Sequence, residues 1–399
     1  MASTTKEDAA SAEASEAADR LASISLGVDE SNVGANLNKM SQALAIEGDE
    51  MVFCSACGKM GDDLKGCNGC RCIRYCSAAC QKKHWKAHKV DCKRIKVVLA
   101  GKERRPPPGQ YALDMSAPPG EEAIASGLFD DPPTPSDCPI CMVRLPSSSA
   151  QITYAPCCGK KMCTACCWDN RDAFEKENQK RADKRQAVLD YMPCPFCRTP
   201  RAEDGDDLIK RTEERASMKN DPIANWMLAV YYKRGTHGVT ADEGKVLGFM
   251  RRAAELGDND AQYALAIAYY EGQLGLEMNK QAAMVYLEQS AKGGQARARH
   301  YLGNLCSVMS FNRVTRDSVM HLRIAAAAGY SLALEDLLDY FEEGYIRHQD
   351  LAPSVRARDK NLLDVKSESR DRFVYYQCLH VEATGRTVDL TKPIYNAPD

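Results

Sequence analysis

The chain has 399 residues, 44% of them apolar, with 53 Lys and Arg against 55 Asp and Glu for a formal net charge of -2. That length allows two or three domains, and so even a balance excludes the strongly basic or acidic chain whose charge alone would name a partner. All of the 19 cysteines except Cys306 and Cys378 fall between Cys54 and Cys197, which divides the sequence into a metal-dependent first half and a different second half.

Residues 1–50 are poor in aromatic side chains and rich in Ala, Ser, Glu and Asp. Such a stretch buries too little apolar surface to offset the entropy of ordering, so a disordered tail is expected. Met1 to Leu21 has neither the basic start nor the apolar run of a secretory signal, and no segment approaches the ~20 apolar residues of a membrane span. The expectation is a cytoplasmic or nuclear chain without a membrane partner, in which thiols stay reduced and paired cysteines bind metal.

The first cluster, within residues 51–95, reads Cys54-x-x-Cys57, Cys67-x-x-Cys70, Cys76-x-x-x-Cys80, His88 and Cys92. Seven thiols and one imidazole make two complete sets for tetrahedral zinc. The run from Tyr75 to Cys92, with Gln81 and Trp85 in place, resembles a MYND zinc finger. That resemblance implies one zinc on Cys54, Cys57, Cys76 and Cys80 and a second on Cys67, Cys70, His88 and Cys92. It leaves Cys72 and His84 as bystanders and implies a shallow groove for proline-containing peptides. A module of about 40 residues has too little core to fold alone, so zinc, at roughly 10–16 kcal/mol per structural site, is what folds it. Four-ligand sites leave no position for water, and zinc hydrolysis is not expected. The basic residues Lys82, Lys86 and Lys89 recur at helical spacing, which favours a solvated helix face over a nucleic-acid contact.

Residues 96–136 turn to Pro, Gly, Asp and Ser, and are expected to be a semi-extended linker. A passive spacer is the preferred reading, with an in-chain ligand for a proline-binding finger as its alternative.

Residues 137–200 hold four more pairs: Cys138 and Cys141, Cys157 and Cys158, Cys163 and Cys166, Cys194 and Cys197. Their order resembles a RING finger of the all-cysteine kind, in which alternate pairs share an ion in a cross-brace. The resemblance implies Cys138, Cys141, Cys163 and Cys166 at one zinc and Cys157, Cys158, Cys194 and Cys197 at the other, giving four zinc ions per chain. Adjacent side chains of an extended strand point to opposite sides, so Gly159 is expected to supply the turn that brings both Cys157 and Cys158 to one ion. Without it one thiol is spare and that site is incomplete. A helix is expected between Cys167 and Pro193. RING ubiquitin ligases dock a ubiquitin-conjugating enzyme through positions matched here by Ile140, Trp168 (or a neighbour) and Pro195. Arg198 stands where they place a bridging cation, a task suited to the guanidinium fork. Such a ligase acts by positioning the charged conjugating enzyme, with no nucleophile of its own.

After a connector at 201–220, residues 221–352 repeat. Met250, Ala254, Gly257, Ala261 and Leu265 align with Leu287, Ala291, Gly294, Ala298 and Leu302, then with Leu322, Ala326, Gly329, Ala333 and Leu337, at spacings of 37 and 35 residues. Two amphipathic helices per unit at this period predict an α-solenoid, with glycine closing each second helix. The strings Ala253 to Ala261 and Tyr269 to Gly272 resemble SEL-one-like repeats, relatives of tetratricopeptide repeats, which implies a surface for protein partners. Cys306 to Arg316 lacks the glycines of the usual inter-helix loop, the fourth unit is expected to lose its second helix before Pro353, and 353–399 reads as a tail.

The expected architecture is therefore multidomain: two small cross-brace zinc fingers followed by an all-α helical-repeat solenoid. The expected function is a RING-type ubiquitin ligase whose other modules recruit protein substrates, and the alternative is a non-enzymatic zinc adaptor.

Overall fold

The computed structural model describes residues 52–373 apart from 62, 102–112, 116–126, 131 and 147–150, so the expected tail at 1–50 and everything after 373 lie outside the described residues. In the first finger a two-stranded sheet, β1 (Lys65–Gly66) and β2 (Arg74–Tyr75), leads into helix α1 (Ala78–Ala100). Ser77 starts that helix, its hydroxyl accepting the Cys80 N–H at 3.2 Å, as N-cap serines do. His88, Cys92 and Ile95, near the three-to-four-residue spacing of one helix face, are its buried side, while Lys82, Lys86 and Lys89 are exposed.

In the second finger a hairpin of β3 (Ile152–Ala155) and β4 (Lys160–Cys163), in register Ile152 opposite Cys163, leads directly into α2 (Thr164–Asp183). The return segment is held to this helix by Asn178, whose amide donates to the Leu189 carbonyl at 3.0 Å and accepts the Leu189 N–H at 2.9 Å.

The segment expected as a connector is a helix, α3 (Gly205–Lys219). Asp204 caps it, and Ile209, Thr212 and Ala216 form its buried side. Eight solenoid helices follow: α4 (Pro222–Arg234), α5 (Glu243–Glu255), α6 (Asn259–Glu271), α7 (Lys280–Lys292), α8 (Ala296–Met309), α9 (Arg316–Ala327), α10 (Ser331–Glu342) and α11 (His348–Asp364). Every Ala, Leu and Met in the aligned seam is buried. Gly257, Gly294 and Gly329 have φ of 88°, 92° and 89°. At Gly257 the N–H bonds the Ala254 carbonyl and the next N–H bonds that of Ala253, a pattern repeated at the other two, which closes the helix in a left-handed turn. In the third unit Phe311 and Asn312, both at φ 58°, take the backbone conformation that glycine would have supplied.

Three expectations are corrected. Pro353 does not end the fourth unit: it lies inside α11, where it forgoes one intrahelical hydrogen bond, and the buried Leu351, Ala352 and Val355 hold the helix through it. Helical structure resumes at residues 368–373, so the tail begins no earlier than the end of the described residues. The described parts of the proline-rich segment are docked on the solenoid. Leu113 N–H bonds the Tyr345 carbonyl at 2.8 Å, Phe129 is buried with its ring 4.7 Å from that of His321, Arg299 donates to the Leu128 carbonyl, and Pro132 and Pro133 lie against the turn at Gly294.

Both fingers are anchored to the solenoid. The core of the first is continuous with that of the last helices, Ile73, Cys92 and Ile95 sharing one cluster with Leu334, Leu337 and Leu351. Around it Arg94 pairs with Asp339 and Glu342, each at 2.6 Å, and Arg358 pairs with Asp91 at 2.7 Å. The second finger meets the first helices through Tyr154, whose hydroxyl donates to Asp221 at 2.9 Å. Asp221 also caps α4 and pairs with Arg215 at 2.7 Å. It meets the last helix through Arg144 and Asp364 at 3.3 Å. Among the described residues no helix is long and apolar enough to cross a membrane.

Two outcomes follow for stability. Leu265→Ala or Leu302→Ala should cost about 2–5 kcal/mol in denaturant unfolding, as core truncations do. Because the first finger shares its core with α10 and α11, a zinc chelator should speed amide hydrogen exchange in those helices far more than in α5 and α6; equal exchange throughout would mean that the finger does not support them.

Candidate metal centres and the face of the second finger

Four of the five CxxC pairs, all but Cys163 and Cys166 at the start of α2, are built alike. In each, the N–H of the residue four after the first cysteine bonds back to that cysteine's carbonyl: Gly58 to Cys54 at 2.8 Å, Arg71 to Cys67 at 3.0 Å, Met142 to Cys138 at 2.8 Å and Arg198 to Cys194 at 3.1 Å. All four of these residues have positive φ, between 55° and 76°. The first cysteine's own N–H bonds a carbonyl beyond the turn, such as Lys59 for Cys54 and Thr199 for Cys194. A tight backbone loop thus presents two sulfurs without help from any side chain.

These turns meet their partners in four groups whose donor atoms all lie within 4.8 Å of one another: Cys54, Cys57, Cys76 and Cys80; Cys67, Cys70, His88 and Cys92; Cys138, Cys141, Cys163 and Cys166; Cys157, Cys158, Cys194 and Cys197. Zinc–sulfur bonds of about 2.3 Å make a tetrahedron with edges of about 3.8 Å. The observed separations fit: Cys57 to Cys76 is 3.7 Å, Cys67 to Cys92 3.6 Å, Cys141 to Cys163 4.0 Å and Cys158 to Cys194 3.9 Å. His88 turns Nε2 toward Cys70 at 3.4 Å. A β-carbon on Gly69 would come within 2.7 Å of the Cys92 sulfur, so glycine is what lets that loop close on its site. Gly159, at φ 72°, makes the turn after Cys157 and Cys158 and returns its N–H to the Ala155 carbonyl at 2.7 Å, so both thiols reach one group.

Crowding makes several of these thiols resist ionisation when no cation is near. The neighbouring thiols of Cys80 and Cys57 push Cys76 up to about 12, burial and then Cys67 push Cys92 up to about 12, and Cys72 followed by burial does the same to Cys70. At Cys197 the Thr199 hydroxyl acts the other way and brings the thiol down to about 6. A divalent cation supplies the missing counter-charge for four converging donors, and the donor sets are those of structural zinc. Cys72 and His84 lie outside the groups. Cys72 is buried where the finger meets α11, 3.3 Å from His348 Nε2, which donates to the Cys70 carbonyl at 2.8 Å. The His84 ring stacks on His88 with centroids 5.8 Å apart.

Comparison with known proteins fits this division. The MYND finger family model matches residues 54–92. The first finger is a MYND finger. The Sel1 repeat model matches 222–258 and 259–295, so the solenoid is built of Sel1 repeats; residues 138–198 lie outside both matches. Among curated relatives, SET domain-containing protein 14 of Caenorhabditis elegans is 41% identical over 61 residues, covering 15% of this chain and 14% of the relative. Histone-lysine N-methyltransferase SMYD3 of Homo sapiens is 43% identical over 61 residues, with the same coverage. Ubiquitin carboxyl-terminal hydrolase 19 of Arabidopsis thaliana is 45% identical over 53 residues, 13% of this chain and 8% of the relative. The chain thus spans less than a fifth of the length of any of these three. Of solved structures, a Sel1 repeat protein from Oxalobacter formigenes is 18% identical with a TM-score of 0.35, covering 56% of this chain and 81% of its own. The MYND finger and the Sel1 repeats make this a zinc-binding protein assembled from protein-interaction modules.

On the second finger the expected docking residues are spread over different surroundings. Ile140 is 42% exposed. Trp168 is half-buried, its ring 6.2 Å from that of Phe373. Pro195 lines a cavity of about 270 Å³ with Met192, Leu208 and His237, and Arg198 is exposed. Phe196 and Phe373 pack on the finger's core; neither was singled out from sequence, although Phe196 sits beside a residue that was.

Elemental analysis of the purified chain should give four zinc ions, and Cys157→Ser should lower that to three. Two ions or fewer in the unsubstituted chain would refute the paired cross-brace.

Proposed function

We propose that the protein is a RING-type ubiquitin ligase that uses its MYND finger and Sel1 repeats to recruit protein substrates. The observation that carries this reading is the interleaving of the second finger's ligands along the chain, 138 and 141 with 163 and 166, 157 and 158 with 194 and 197, around a hairpin and one helix. Neither the zinc ligands nor the hairpin requires Ile140 or Arg198 as side chains, and both are exposed, which a docking role needs. Catalysis by such a site is positional: the ligase restricts a reactive thioester to productive conformers, and the Arg198 fork can donate to two carbonyls at once.

The second reading is a scaffold without ligase activity. Phe373 on Trp168 and the placement of Pro195 in a cavity wall favour it. The methyltransferase and hydrolase names of the curated relatives are not carried over, because the shared stretch is a small part of each of those proteins.

The backbone at Arg198, at φ 63°, makes a clean test possible. A side chain in the left-handed region costs about 1–2 kcal/mol, so Arg198→Gly removes the guanidinium while relieving the turn. On the ligase reading the full chain speeds ubiquitin discharge from at least one charged conjugating enzyme to free lysine. Arg198→Gly then slows discharge about tenfold, the loss of about 1.4 kcal/mol of transition-state stabilisation, with unchanged zinc content and undiminished thermal stability. Discharge no faster than background with a broad enzyme panel would leave the scaffold.

A further inference from the structure

The chain beyond α11 returns to the second finger, and it arrives on the side that the ligase reading reserves for a conjugating enzyme. Asp364, at the end of α11, pairs with Arg144 next to the Cys138 turn at 3.3 Å. Arg370 donates to the Val143 carbonyl of that turn at 3.5 Å. Arg372 pairs with Asp169 at 3.1 Å, and Phe373 lies on Trp168 with ring centroids 6.2 Å apart. Phe373 also packs against the finger's core, to which Cys141 and Phe196 belong as half-buried members.

We propose that residues 364–373 are an intramolecular cap on the docking face of the second finger, so that a conjugating enzyme must displace Phe373 before it can reach Trp168. This rests on the ligase reading. The physical design suits a displaceable cover. Its ion pair to Asp169 joins a side chain 57% exposed to one 25% exposed, and pairs so open to solvent contribute little. Its ring contact with Trp168 is made by a half-buried side chain. Ile140 stays open beside the cap at 42% exposure, which leaves an incoming partner a first point of contact. A cap closed about four-fifths of the time lowers apparent docking affinity about fivefold, because only the open fraction binds.

The test uses the full chain with its zinc. Phe373→Ala and Arg372→Glu should each raise the rate of ubiquitin discharge about fivefold at sub-saturating charged enzyme and lower the KM for that enzyme, with kcat nearly unchanged. Asp169→Arg alone should also be faster, while Asp169→Arg combined with Arg372→Glu restores the pair and returns the slow rate. Arg372→Glu changes an exposed side chain and serves where Phe373→Ala unfolds, with zinc content and helical circular dichroism as controls. Measurable but equal discharge by the unsubstituted chain and both variants overturns the cap and keeps the ligase. No discharge by any of them overturns the ligase and the cap together. A faster double charge-swap variant overturns the ion pair as the latch.

Discussion

A tetrahedral ion accepts four donors from whichever stretches of chain supply them, and each of the four centres here takes two from one stretch and two from another further along. The first finger is closed over residues 54–92 and the second over 138–197 in this way. Without that closure neither finger has enough apolar surface to fold. With it, Ile73 and Ile95 become a hydrophobic face that the last helices of the solenoid can bury. Metal binding and solenoid packing are therefore successive layers of one fold, and Arg94, Arg356 and Arg358 trim their boundary with bonds to Asp339, Glu342, Asp91 and the Cys72 carbonyl.

The repeats show how a periodic scaffold is adapted at single positions. In one unit Gln262 donates to the Ala254 carbonyl of the preceding helix. The residue at the same place one repeat later is Arg299, which reaches past its own unit to the Leu128 carbonyl of the proline-rich segment. Its guanidinium is largely desolvated and held below the usual arginine range by burial, with Asp130 opposing that drop. A substitution within the repeat thereby recruits a piece of chain that carries no repeat signal.

Sixteen ligands and the seam of three repeats were legible because each imposes a local count or period: four donors per ion, and a small or large apolar residue at fixed spacing. What was not legible depends on partners remote in sequence. Leu113 and Phe129 are isolated apolar residues in a proline-rich stretch, and only Tyr345 and His321, some two hundred residues on, give them a place. Pro353 reads as a helix stop until Leu351 and Val355 are seen buried on either side of it. Residues 205–219 carry a helical pattern too short to outweigh the view of them as a connector, and they are held by the Asp204 cap, the Arg215–Asp221 pair and the burial of Ile209 and Ala216 with Ala224 and Leu228. Phe373 has no signal in its own neighbourhood, since the ring it meets, Trp168, lies some two hundred residues earlier.

The contacts of the second finger with the solenoid include Asp221, where the repeats begin, and Asp364, where they end. A stack of helical pairs is ordinarily a spring, free to open or tighten by small rotations between neighbours. Here one finger is bonded both to the start of the first repeat helix and to the end of the last. A rotation that parted those two ends would have to strain or break the bonds at Tyr154 and Arg144.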